Sequence, residues 1–484
     1  MRIHESVIDS ALSRFADRLR YFDWLFWLCL IGAMLLPKLY EIHRVWQVGD
    51  LPPEVLAAVE QFRFAELALE VILESVPFAV LAVCARLKRK ERAAGFSVAA
   101  IIWTGGAACV LMLAVQLGAA YWLSIASKLP EAWLAPTVHY LQLRSAGMPF
   151  EVMAMTLMMA LKGMGHGRRV VAVTVLTLTC GTAVDALLYG HFSWSLDLGL
   201  NGVALGYVLS RVAGFACALW ALWSIAGWPR WRFTRRFLPL RNFMRVGGMT
   251  GIDCLIRNAG YSYLLVLINL MGVLPYAAYG LAMQVIWTAL IPVLALSETT
   301  MVAVGKSDDL IRRRQAIVSS LSVLLLLDLF LLLALSWWQG WALMLNTDSA
   351  LVALSGEMAL WLVLPYVLFT FSQTARGMLI GARVAWPIPL STTVVTLLTT
   401  VPAAVAVQAW EWVPTGHEVI AVMSAGFVID ALITWPLCWG YVWAGRALPA
   451  SARMAHRSFK PHQMATGTWQ FDRSRRISMQ GKSS

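Results

Sequence analysis

Glu66, Glu70 and Glu74 recur at intervals of four inside an otherwise apolar run, a spacing that places three carboxylates on one face of a helix. Three acids in a medium of low dielectric cannot all ionise cheaply, so the face must bind protons or recruit cations. Arg44 and Arg63 are the nearest candidate cations in the chain. Further acids stand in apolar surroundings at Glu151, two residues after Pro149, and at Asp185, Glu298, Asp328 and Asp430. Asp253 and Arg257 lie four apart, within reach of each other along a helix. An ionisable group in such a setting costs a few kcal/mol to insert into a membrane and is by default a functional candidate with a partner. The chemistry on offer is proton or cation binding. No Cys-x-x-Cys and no Cys/His ligand spacing occurs, so neither a metal centre nor a disulfide is expected of the seven cysteines, which read as small core hydrophobes.

The elements carrying these residues are set by composition. Of 484 residues, 59% are apolar and 14% charged, with a mean hydropathy of +0.66. A soluble domain is closer to ~45–50% apolar and ~25% charged, so lipid must be the solvent for much of this surface. Apolar windows of membrane-spanning length fall at about 22–46, 55–85, 95–125, 134–162, 169–190, 200–228, 243–271, 276–305, 315–341, 350–380, 385–411 and 418–445. The reading is an all-α membrane protein of about twelve transmembrane helices, since helices satisfy their own backbone hydrogen bonds in hydrocarbon.

Charge alternates between successive loops. Arg86 to Lys90, Lys162 with Arg168 and Arg169, Arg230 to Arg245, Lys306 with Arg312 to Arg314, Arg376 with Arg383 and the tail from Arg446 are basic. The loops between them carry Asp50, Glu54, Glu131, Asp197, Asp348, Glu411 and Glu418. By the positive-inside rule both termini are cytoplasmic, and the expected location is a plasma membrane, specifically a bacterial inner membrane. Orientation accounts for most of the +12 net charge, so no nucleic-acid partner is expected. The segments expected are a cytoplasmic amphipathic stretch at 1–21, a six-helix bundle at 22–228, a basic linker at 229–242, a second six-helix bundle at 243–445 and a basic, disordered tail at 446–484.

The two halves repeat weakly. Leu56-Ala-Ala-Val is answered by Tyr276-Ala-Ala-Tyr, and Pro149 stands sixteen residues before Gly165 as Pro365 stands sixteen before Gly381. Duplicated six-helix bundles are the architecture of alternating-access carriers.

At these positions the sequence resembles the multidrug and toxic compound extrusion (MATE) family, over roughly residues 20 to 445. Leu39-Tyr-Glu-Ile-His-Arg-Val-Trp-Gln-Val-Gly49 is similar to the family's L-Y-N-x-x-D-T-x-x-V-G. Tyr140-Leu-Gln-Leu-Arg-Ser-Ala-Gly-Met-Pro149 with Lys162-Gly-Met-Gly-His-Gly-Arg168 resembles its fourth-span signature. Val184-Asp-Ala-Leu-Leu-Tyr-Gly190 and Gly199-Leu-Asn-Gly-Val-Ala204 resemble its fifth- and sixth-span motifs. Asp253-Cys-Leu-Ile-Arg257 is similar to the D-x-F-x-R of the DinF-like branch.

The resemblance implies two pseudo-symmetric six-helix bundles and export of small amphipathic, often cationic, organic compounds in exchange for H⁺ or Na⁺, with no other cofactor. It also implies departures. Arg44 stands where the family keeps its first-span coupling aspartate, and Gly181 replaces a fifth-span asparagine. The glutamate face, Glu70 foremost, is then the expected proton-responsive site, with Asp185 contributing. Glu298, Asp328 and Asp430 form a second-half set beside the Asp253–Arg257 pair. Arg44 and Arg257 also admit an anionic or zwitterionic substrate. The partners expected are the lipid bilayer and a small organic substrate, with the chain monomeric. The alternatives are a flippase for a lipid-linked precursor and, less favoured, a membrane-embedded transferase, for which the short outer loops offer no site. No G-x-x-x-x-G-K-[ST] occurs, so energy would come from a gradient. No enzyme activity is expected.

Overall fold

Apolar runs interrupted by proline, glycine and short charged loops become a set of packed helices in the computed structural model. It describes Leu19 and residues 21–48, 62–125, 131–190, 193–227, 243–270, 273–307, 309–343, 349–410 and 412–444. Most of the amphipathic stretch, the basic linker, the Leu56-Ala-Ala-Val motif and the tail lie outside these, as do the side chains of Arg44 and Arg63.

The first half comprises α1 (Trp24–Val48), α2 (Arg63–Cys84), α3 (Lys90–Ile125), α4 (Glu131–Ser145), α5 (Met148–Gly163), α6 (Gly167–Tyr189) and α7 (Gly199–Ala226). The second half opens with a π-helical turn, Met244–Gly248, leading into α8 (Met249–Leu270). It continues with α9 (Val273–Ala289), α10 (Ile291–Lys306), α11 (Leu310–Leu335), α12 (Trp338–Leu343) and α13 (Ser349–Gly381). It closes with α14 (Pro387–Val395), α15 (Val401–Trp410) and α16 (Gly416–Cys438), the last three joined or extended by π turns at Thr396–Thr400 and Trp439–Trp443. No strand occurs among the described residues.

Among the described residues, eight helical segments are each long and apolar enough to cross a bilayer, and the α9–α10 pair, bent by 42°, supplies a ninth. The helix α1, the α4–α5 pair and the acid- and arginine-bearing α8 complete the twelve-span plan. Two expected spans are broken rather than continuous. The window at 134–162 divides at Ala146–Gly147, ahead of Pro149 in the first turn of α5. That at 276–305 divides at Leu290, ahead of Pro292. In each, the ring-locked proline lacks a donor and stands where a helix can begin but not continue. Pro365, by contrast, lies within the unbroken α13.

The repeat is present, but its register differs from that read from the prolines. At the end of α5 the amides of Met164, Gly165 and His166 donate to the carbonyls of Ala160, Lys162 and Leu161. At the end of α13 the amides of Ala382, Arg383 and Val384 donate to Met378, Ile380 and Leu379 in the same pattern. Gly165 (φ 80°) therefore corresponds to Arg383 (φ 62°), and Gly163 to Gly381. A Cβ on Gly163 would stand 2.6 Å from the Leu81 carbonyl and one on Gly381 2.5 Å from that of Met301. The match is shifted by two residues because helix termination by a left-handed residue, not the upstream proline, fixes the equivalent positions.

In the first half α6 packs on α7 and α1, and α5 lies against α2, α3 and α7. In the second, α13 packs on α16, α10 and α9, and α8 on α14. The halves meet most extensively at two places: α1 against α10, and α2 against α8 with its leading π turn. In the plan of spans these are one contact seen from each half, first span on eighth and second on seventh. The Trp27 indole donates to the Pro292 carbonyl at 2.9 Å. Gly247 brings α2 to backbone contact, since a Cβ there would lie 2.9 Å from the Ser75 carbonyl oxygen. Of the cysteines expected in the core, Cys84, Cys254 and Cys438 are buried, whereas Cys109 and Cys180 are exposed on the helix surface. The windows holding those two are apolar on every side, so sequence does not separate the packed face from the lipid face.

Candidate ionic network and cavity

The three glutamates of α2 do not act as one cluster. Successive turns present them to partners from different elements. Glu66 takes a hydrogen-bonded ion pair from Arg144 of α4, at 2.5 Å. Glu70 accepts from the Asn258 amide of α8 at 3.0 Å. Glu74 is paired with Arg257 of α8. Thus Glu66 is bound within its own half, while Glu70 and Glu74 reach across to the other.

Arg144, which sequence reasoning did not single out, is nearly buried. Its guanidinium lies 4.0 Å from the ring centroid of Phe62 and 4.8 Å from that of Tyr207, and donates to the Tyr140 hydroxyl at 2.6 Å. Stacking on aromatic faces while one nitrogen serves an acid and the other a hydroxyl suits the planar guanidinium better than an ammonium. The signal for it was present: Tyr140 and Arg144 are four apart on α4 and belong to the same quoted motif.

Glu151 is held by two residues of α7, accepting from the Tyr207 hydroxyl and pairing with Arg211 at 3.0 Å. Asp185 of α6 is fully buried and accepts from the Tyr40 hydroxyl of α1 at 2.5 Å. Two glycines make that bond possible. A Cβ on Gly206 would collide with Asp185 Oδ1, and one on Gly181 would lie 2.9 Å from the Tyr40 hydroxyl. The residue at 181 is small because a tyrosine from another helix fills its place.

In the second half the Asp253–Arg257 pair exists, at 3.2 Å, but it is one link of a longer line. Arg376 of α13 donates from one nitrogen to both oxygens of Asp253 at 3.1 Å and from the other to Asp430 of α16 at 2.8 Å. Thr392 also donates to Asp253, and Ser391 to Asp430, with Thr434 adding a bond to Asp430 at 3.2 Å. The charges run Glu74, Arg257, Asp253, Arg376, Asp430, alternating in sign, from the first half into the centre of the second. Each buried carboxylate is met by cations and hydroxyls, the condition for keeping a charge out of water. Glu298 of α10 stands apart. It pairs with Lys162 of α5 at 2.7 and 3.0 Å, both residues being buried.

Asp328 of α11 joins neither set and accepts from Thr370 at 2.9 Å. Near the basic loops, burial is the main cause, ahead of Lys90, Arg169 and Lys306, that holds His166 below the usual histidine range.

Residues 30–187 match the MatE family model. No curated protein matches the chain. Among solved structures it is similar to a MOP-superfamily transporter from Pyrococcus furiosus whose binding pocket is described as reversed in polarity (17% identity, 89% of this chain and 96% of that one, TM-score 0.71). It is also similar to the Vibrio cholerae MATE transporter VcmN in its bent form (14%, 93% and 100%, 0.73). A third is a multidrug resistance MATE transporter in an outward-facing conformation (16%, 90% and 96%, 0.72). At these identities the structures establish the fold, all-α with twelve spans. Residues 30–187 thus carry the MatE family model, and the chain is similar in fold, through the remainder as well, to the MATE transporters.

Proposed function

We propose that the chain exports small amphipathic organic compounds by alternating access, in exchange for H⁺ or Na⁺, from a bacterial cytoplasm bounded by the membrane it spans. The observation that carries this reading is the Glu74–Arg257–Asp253–Arg376–Asp430 line, because it crosses the boundary between the halves. A proton or cation taken up by Glu74 or Asp253 removes one negative charge from an alternating row. Arg257 then loses a partner, and the attraction joining α2 to α8 weakens where the halves meet. Occupancy by the coupling ion and closure of the halves thereby become one equilibrium. Glu70, bound to Asn258, lies beside this link and is the adjoining proton acceptor. Lys162–Glu298 holds the same boundary from other helices. Loops bearing the positive charge face the cytoplasm in this reading.

The test is transport in proteoliposomes under separately imposed pH and Na⁺ gradients, against a panel of organic cations and anions. Uphill export driven by one gradient is expected. In the Glu70→Gln, Glu74→Gln double variant that uphill component is abolished while substrate binding remains measurable. Undiminished uphill transport in this variant sinks the proposal.

A further inference from the structure

The bend between α9 and α10 leaves a crevice of about 410 Å³ between α9/α10, α11 and α13, lined by Pro292, Leu362 and Tyr366 among other apolar and aromatic residues. Asp328 is the one charged side chain on its wall. This acid is 5% exposed, and while Oδ1 accepts from Thr370, Oδ2 has no hydrogen-bond partner among the described residues. Phe330, Leu332 and Trp341, at the rim, are exposed, so in a membrane the mouth faces hydrocarbon. Asp328 lies seven residues before the end of α11, or ~10 Å along a helix at ~1.5 Å per residue. The end it approaches is the one opposite the basic loops, where Trp337, Trp338 and Trp341 gather. Its volume falls in the range of drug-sized pockets, ~300–1,000 Å³, too small to swallow a two-chain lipid.

We propose that this crevice is a second ligand site, distinct from the charged line that crosses between the halves, which takes a drug-sized lipophilic amine from the bilayer and pairs its ammonium with Asp328 Oδ2. The apolar walls supply burial, and a buried carboxylate oxygen lacking a donor is what an ammonium group completes.

The experiment uses the full chain in phosphatidylcholine nanodiscs, with a dansyl-labelled primary alkylamine and its N-acetylated, uncharged counterpart, titrated without any ion gradient. That arrangement keeps its outcome separate from that of the transport test. Wild type is expected to bind the amine at least tenfold more tightly than the amide. Asp328→Asn should erase that preference, and Leu362→Trp, which fills the crevice but keeps the acid, should weaken both probes. A diazirine analogue should cross-link to α11 or α13. Equal binding of amine and amide by wild type, unchanged binding in both variants, or cross-links confined to other helices would each overturn the assignment. So would suppression of amine binding by phosphatidylethanolamine in the nanodisc, since the occupant would then be a lipid headgroup. Should Asp328→Asn fail to fold, Leu362→Trp and the amide comparison decide alone.

Discussion

Lys162 and Glu298 form a buried ion pair that ties the fourth span of the first half to the eighth span, in the second. Removing one partner leaves the other charge buried and unpaired, at a cost of ~3–5 kcal/mol. Lys162→Met alone or Glu298→Gln alone should therefore lower the thermal midpoint in detergent markedly. The Lys162→Met, Glu298→Met double variant should recover most of the loss. A double variant as unstable as the sum of the singles would show that the two charges do not depend on each other.

Glu74 and Arg257 give the opposite balance of stability and activity. Both are more than a third exposed, so neither charge is fully buried in protein and the pair's contribution to stability is ~0–1 kcal/mol. Glu74→Gln should unfold close to wild type yet lose gradient-driven transport by at least tenfold in proteoliposomes. Substrate binding, read by equilibrium dialysis, should persist.

Arg376 sets a contrasting standard. It is buried and serves two acids. Arg376→Leu should destabilise by ~3–5 kcal/mol, and Arg376→Lys, keeping the charge but not the fork, should restore only part of it. Thermal unfolding of the two variants side by side checks this; equal recovery by lysine would mean that charge alone matters.

Tyr40 is the described donor to buried Asp185, and Gly206 leaves room for that carboxylate. Tyr40→Phe should cost ~1–3 kcal/mol by removing a hydrogen bond from a buried carboxylate. Gly206→Ala should cost a similar ~1–3 kcal/mol by pushing Asp185 aside. The pair combined should be far from additive, because both act on one bond.

His166 bears on pH. Burial and three neighbouring cations lower its pKa in the folded chain, so the unfolded chain binds the proton more readily. Its contribution is intact above the unfolded histidine value and is lost as pH falls through that value towards the lower folded one. Between pH 7.5 and 5.5, wild type should lose more thermal stability than His166→Gln. Parallel curves would remove His166 from the account.

Much of the fold was legible because hydrocarbon imposes length, composition and loop charge together. The windows at 169–190 and 200–228 agree with α6 and α7 to within a few residues. What composition does not encode is where a span breaks. Pro149 and Pro365 read alike in sequence, yet one begins a new helix and the other lies within α13. The site was legible in its residues and not in its pairings. Helical spacing brought Glu66, Glu70 and Glu74 to one face, but their partners come from α4 and α8, remote in sequence. Arg376 was noticed only as a loop cation, since its position near the end of an apolar run hides that it points inward to Asp253 and Asp430. Tyr40 and Gly181 show the same limit: the tyrosine matched a motif and the glycine departed from one, and only packing reveals that each explains the other.

Gly247 meets the carbonyl of Ser75 with no side chain between the two helices. Beside that contact only the Thr250 hydroxyl reaches across, to the same carbonyl at 3.4 Å, so little interlocking of side chains has to be undone to separate α2 from α8 there. The grip is left to a handful of charged latches on either side, and a latch made of charge answers to protons and salt, where a latch made of shape would answer only to force.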